Sequence, residues 1–176
     1  GLGGSGGSSI ATHAMRQLPI GVPKLMVSTV ASGDTSPYVG SVDVTMMYSV
    51  VDVAGINRIS ARILTNAAGA LVGMARATVP PLGEERPLVV ASMFGVTTPA
   101  VTTARERLEE LGYEVLVFHQ TGAGGGSLEE LIKAGFIAGS LDVTTTEFCD
   151  LGAGGVLAAV PDRLESAGRL GIPQVV

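Results

Sequence analysis

Short runs of β-branched and aliphatic residues alternate along the chain with stretches in which apolar positions recur every three or four residues. The first kind reads as strands and the second as helices. Lys24–Val30, a segment within Val42–Val53, Leu88–Phe94, Val115–Phe118, Ile137–Val143 and the final IPQVV carry the strand pattern. The helical stripes are Ile10, Ala11, Ala14 and Leu18; Ile59, Ile63, Ala67, Ala70 and Met74; Val101, Ala104, Leu108 and Leu111; and Leu128, Leu131 and Ile132. Asp162–Leu170 reads as a further helix, with Gly171 as its C-cap. Strands alternating with helices predict an α/β protein with parallel strands, in which the loops after each strand share one edge of a sheet. Ligands of open α/β sheets bind at that edge.

Punctuation divides the pattern. Val79–Pro87 gathers three prolines and three charges, which marks a linker. The expected organisation is one α/β subdomain over residues 1–80, a linker over 81–87 and a second α/β subdomain over 88–176. GLGGSGGSS lacks a strand to feed it and the last strand lacks a loop to follow it, so the sequence reads as a fragment of a longer chain. A Gly/Ser linker would open in the same way, although this one runs straight into an amphipathic helix.

The fullest strand–loop–helix unit is YEVLVFHQTGAGGGSLEELIKAG. Gly122, Gly124, Gly125 and Gly126 follow a strand and let a ligand approach the main chain. Ser127 stands as the expected N-cap with Glu130 in capping-box position. A helix start of this kind attracts a phosphate or carboxylate through its free N–H groups; a tight turn without a ligand has the same sequence. Gly3, Gly4, Ser5, Gly6, Gly7 and Ser8 form the corresponding loop near the start, and Ser28 and Thr29, at the end of the next strand, can donate to phosphate oxygens. In the second half Thr97 and Thr98, Thr121, Thr145 and Glu147 fall at strand ends. Glu147 reads either as a ligand for a magnesium-bound water or a ribose, or as an ordinary helix-start acid.

Composition narrows the function. A net charge of −5, a pI near 4.9 and only two lysines, Lys24 and Lys133, argue against a nucleic-acid-backbone binder. Aromatic residues at 4% are too few for base stacking. One cysteine and two histidines give no disulfide framework and no zinc cluster, so no metal ligands are assigned and a cytoplasmic location is expected. Cys149 reads as a small core residue, and His119 as a capping group or a ligand contact. No membrane span or signal peptide is expected. High hydropathy with few charges leaves apolar surface to be covered, which predicts self-association. The opening glycines match G-x-G-x-x-G, but no acid ends the next strand. Asp142 lies 20 residues beyond Gly122, at ribose-binding spacing for a dinucleotide, after a glycine loop that departs from the fingerprint.

Taken in order, GLGGSGGSS, STVASG, SVVDVAGIN, MFGVTTP, ERLEELGYEVLVFHQTGAGG and LDVTTTE resemble the Tm-one-like ATP-binding-domain family, which includes bacterial members of unassigned activity. The resemblance implies two Rossmann-like subdomains facing a shared cleft, in a longer chain that forms homodimers. It also implies ATP as the ligand, possibly with Mg, and for the plant member a viral protein partner. Catalytic residues are not transferred. The expected function is nucleotide binding at glycine loops on strand ends. The alternatives are an enzyme acting on a small phosphorylated or carboxylated metabolite, or a dinucleotide-binding oxidoreductase domain.

Overall fold

The computed structural model describes residues 1–81 and 83–176, so that Leu82, inside the expected linker, lies outside the described residues. The chain divides into two compact units, Gly1–Pro81 and Leu82–Val176. Each is an α/β body built on its own parallel sheet.

The first unit runs β1 (Leu2–Gly3), α1 (Ser5–Met15), β2 (Leu25–Ser28), α2 (Ser36–Val39), β3 (Thr45–Tyr48) and α3 (Arg58–Arg76). Its sheet order is β1-β2-β3, all parallel. The opening glycines do have a feeding strand, contrary to the sequence reading: Leu2 and Gly3 pair with Val27 and Ser28. It is too short to show a period of its own. Alternation along β2 sends Leu25 and Val27 to a core with Ala67, Ile63, Leu64 and Met74 of α3, and Ser28 to the opposite face, where it meets Ser8 of α1. Asn57 caps α3 by accepting from the Ile59 and Ser60 N–H groups, while Ser60 Oγ accepts from Asn57 N–H. That reciprocal pair fixes where the helix starts.

The second unit runs β4 (Leu88–Met93), a 3₁₀ turn (Gly95–Thr97), α4 (Thr98–Glu110), β5 (Glu114–His119), α5 (Ala123–Lys133), β6 (Ile137–Leu141), α6 (Glu147–Ala153), α7 (Ser166–Leu170) and β7 (Gln174–Val175). Sheet order is β5-β4-β6-β7, all parallel. Val90 packs with Leu128 and Ile132 of α5, Ile137 and Ala167. The chain leaves β4 toward β5 and then crosses to β6 on the other side, which opens a switch point between the C-terminal ends of β4 and β6.

Two helices differ from expectation. Helix α5 begins at Ala123, so Gly124–Gly126 lie inside it, Gly122 is the N-cap, and Ser127 is an ordinary second-turn residue. The expected helix from Asp162 starts only at Ser166, because Leu164 takes φ 69° and breaks the turn. Among the described residues no helix is long and apolar enough to cross a membrane.

Candidate functional site

Each unit presents a glycine-rich helix start at the C-terminal edge of its sheet. In the first unit, Gly4 is the N-cap of α1 and makes no side-chain capping bond, and the first turn holds no acid. Ser5, Gly6 and Gly7 are exposed. Gly3 is tightly packed, since a Cβ there would lie 3.0 Å from Gly7 Cα, whereas a Cβ on Gly6 meets nothing within 4 Å. First-turn N–H groups have no partner within their own helix, so this end of α1 offers donors and the positive end of a dipole to an anion. Thr29 borders it: a Cβ on Gly4 would stand 3.5 Å from Thr29 Oγ1.

Ser8 and Ser28, expected to face a ligand, do not. Both are buried; their hydroxyls lie 2.6 Å apart, Ser8 Oγ donates to Gly4 O at 2.7 Å, and Ser28 Oγ accepts from Val30 N–H at 3.2 Å. They pin α1 to β2. The one lysine of this unit is also occupied, and at the far end of β2. Lys24 Nζ donates to Pro19 O, Val22 O and, at 2.6 Å, Asp43 Oδ1.

The second unit fills its glycine loop from within. Gly125 and Gly126 are buried. A Cβ on Gly124 would land on the His119 carbonyl oxygen, and one on Gly125 would lie 2.5 Å from Glu147 Oε1. These glycines bring α5 against its own neighbours. Glu147, expected near a magnesium water or a ribose, is 1% exposed. It accepts from Gly122 N–H at 2.8 Å and from Arg163 Nε at 2.9 Å. The Gln120 amide nitrogen also donates to it, in the orientation that satisfies both groups. The anion at the start of α5 is thus the protein's own carboxylate, and the expected place for an external anion against Gly124–Ser127 is taken.

Arg163 holds this arrangement, and nothing in the local sequence VPDRLE announces it. Its Nε, Nη1 and Nη2 go to three different acids, Glu147, Glu129 at 3.3 Å and Asp142 at 2.5 Å, all buried. Each acid has further donors: Leu164 N–H and Ser166 N–H for Glu129, Ser140 Oγ and Gln174 Nε2 for Asp142. Burial alone would lower the Arg163 pKa; the hydrogen bonds and charges of Asp142 and Glu147 raise it instead. Asp142 is therefore engaged inside the unit and not turned to a ribose. Lys133 pairs with Glu130 and Asp162.

At the switch point Thr97 Oγ1 and Thr144 Oγ1 lie 2.6 Å apart, and Thr144 N–H donates to Ser92 Oγ. Sequence reading named Thr97 but missed Thr144, which ties the end of β6 back to β4. Thr98 is exposed at the first position of α4, and Thr121 and Thr145 are half-buried. His119 is exposed, edge-on to Phe94 at 5.1 Å between ring centroids. Cys149 is exposed and not in the core, because it lies on the solvent side of the short α6, which Glu147 opens. Among the described residues no group of three His, Cys, Asp or Glu is placed to hold a metal ion.

Comparison with known proteins places this geometry. Residues 1–80 match the N-terminal domain, and residues 86–176 the C-terminal domain, of the uncharacterised protein family UPF0261. The chain belongs to UPF0261. It is 63% identical over 175 residues to a UPF0261 protein of Clostridium tetani, covering 99% of this chain and 43% of that protein. A Mesorhizobium japonicum UPF0261 protein is 53% identical, with 44% of its length covered. The ToMV resistance protein Tm-1(GCR237) of Solanum lycopersicum is 47% identical over 181 residues, 24% of its length. The chain thus spans less than half of these UPF0261 relatives.

Proposed function

We propose that this chain is a phosphate-binding module that takes an ATP-type nucleotide at the sheet edge of its first unit. The phosphates lie against the N–H groups of Ser5, Gly6 and Gly7, with Thr29 as the side-chain donor. One observation carries the reading: α1 starts after a strand with exposed glycines, no side-chain cap and no acid in its first turn. A helix start left open in this way favours an anion. The resemblance to ATP-binding-domain proteins makes ATP the first candidate.

The magnesium expected beside ATP finds no ligand in Glu147, which is occupied by Arg163 and Gly122. The dinucleotide reading is disfavoured on the same grounds, since Ser28-Thr29 ends β2 where an acid is needed and Asp142 is engaged internally. Homodimer formation and a protein partner remain part of the proposal. They are supported by the outer face of α3, where Leu71 and Val72 are 40% and 49% exposed. Cytoplasmic residence is proposed from the single cysteine.

Gly6→Asp tests the site without harming the fold. A Cβ at Gly6 meets nothing, and an acid in the first turn favours the helix. ATP affinity measured by calorimetry is expected to fall about tenfold from charge repulsion, which is roughly 1.4 kcal/mol, with the melting temperature unchanged or higher. Unchanged affinity would remove α1 from the phosphate site.

A further inference from the structure

Two cavities meet behind the strand ends of the first unit. One, of about 330 Å³, borders Thr29 and Tyr48, and the other, of about 160 Å³, lies between the sheet and the first half of α3. They share Ser49, Val51 and Asp52 as a common wall. The smaller one is lined by Leu2, Val27, Ile63 and Leu64 and opens to solvent on the side of Val53 and Ile56. We propose that this smaller cavity binds a hydrocarbon group no larger than a benzene ring, carried by a small alcohol or amine whose hydroxyl or ammonium group faces Asp52.

Size supports a single ring or a short branched chain, because benzene fills an apolar cavity of about 150 Å³, and the wall of this one is almost wholly apolar. Polarity disfavours a purine. Of the hydroxyls on the wall, Ser49 Oγ already donates to Val51 O at 2.7 Å, and Ser60 Oγ is held in the cap of α3. The ring nitrogens of a base turned to this wall would find no free hydroxyl as partner, which is costly. The remaining polar group is the Asp52 carboxylate. Its Oδ1 accepts from the adjacent Val53 N–H at 2.7 Å, and the exposed carboxylate stands where the two cavities join. A carboxylate disfavours an acid at that point and favours a hydrogen-bond donor or a cation.

The backbone at the junction is itself unusual. Val51 N–H donates to Ser49 O at 2.6 Å, closing a three-residue turn in which Val50 takes φ 62°. A β-branched residue in that region is strained, and such strain gathers at binding sites. Val50 is 59% exposed, a ridge beside the cavity mouth. The cavity does not depend on the phosphate site: its ligand is a second molecule, bound beside the Thr29 cavity.

Benzyl alcohol, benzylamine and benzoate carry the same ring with different heads, and methyl NMR of the intact chain reads their binding at Val27, Val51 and Ile63. Benzyl alcohol and benzylamine are expected to give saturable shifts there, with benzoate at least tenfold weaker. Asp52→Asn keeps an acceptor for Val53 N–H and should bring benzoate to within about threefold of benzyl alcohol. Ile63→Phe, which fills the cavity, should abolish binding of all three while the rest of the spectrum stays folded. Equal binding of benzoate and benzyl alcohol to the unaltered chain would overturn the proposal. So would binding that survives Ile63→Phe, or the absence of any shift at the three methyl positions. Inorganic phosphate, titrated separately, reports on α1 alone, so failure of one site does not mask the other.

Discussion

The two glycine loops of this chain are nearly interchangeable as text and opposite as structure. GLGGSGGSS carries the short strand β1 within it and QTGAGGGS follows β5; in both, the glycines after the strand open a helix at a sheet's C-terminal edge. In the first, α1 begins bare, with exposed glycines and no acid nearby in sequence. In the second, Glu147 from 25 residues away accepts from Gly122 N–H and is held there by Arg163. A helix start must place something against its free N–H groups, and one unit does so with its own carboxylate. The glycines differ in purpose accordingly. Those of α5 let the helix touch His119 and Glu147, while Gly6 of α1 has open space beside it.

The sharpest way to break this contrast is to remove the guanidinium. Arg163→Met leaves Glu129, Asp142 and Glu147 buried without their shared cation, and breaking a buried ion pair on one side costs about 3–5 kcal/mol. The second unit should lose at least that much stability in a urea melt followed by hydrogen exchange at β4 and β5, while β2 amides keep their protection. A loss below about 1 kcal/mol would mean the cluster is not what holds Glu147 in place.

Exchanging glycines one for one sharpens it further. Gly124→Ala drives a methyl onto the His119 carbonyl and should destabilise the second unit by about 1–3 kcal/mol. Gly6→Ala meets nothing and should stabilise the first unit by roughly 0.5–1 kcal/mol, the usual gain of alanine over glycine in a helix. Matched thermal melts decide it, and effects of the same sign would erase the distinction between the loops.

Much of this was legible in the sequence. Alternating periods gave the α/β class and the parallel sheets, since strand and helix patterns are local. Leu128 and Ile132 fall in the core as their spacing requires. What was not legible depends on partners far apart in the chain. S-x-x-E made Ser127 look like a cap, but three glycines that are poor helix formers are helical because packing against β5 and α6 requires them. Arg163 reads as one more charge on a surface helix; only the fold shows its three nitrogens each meeting a different acid. Val50 gave no signal at all, a valine in a conformation that glycine adopts readily, as Gly122 does at φ 75°.

The two units also differ in how each keeps a buried cation, and this gives the smallest effect. Arg163 is enclosed by three buried acids, whereas Lys24 has one acid, Asp43, whose side chain is 41% exposed, and two carbonyls. For Asp43, partial burial works to raise the pKa, but the hydrogen bonds from Lys24 and from Gly21 N–H, together with the lysine charge, outweigh it and hold the carboxyl below its ordinary value of 3.8. A carboxyl whose folded pKa is depressed contributes stability that is present above the unfolded pKa and is lost as pH falls through the folded one. The first unit should therefore keep this contribution at neutral pH and lose it below about pH 4, in the ordinary aspartate range. Water screens the pair, so its size is on the order of a few tenths of a kcal/mol. Comparing urea midpoints of the unaltered chain and Asp43→Asn from pH 7 to pH 3 reads it directly. The gap between the two should close as the pH drops, because the protonated aspartic acid and the asparagine are then both neutral. A gap that stays constant over that range would show that Lys24 is held by the Pro19 and Val22 carbonyls alone.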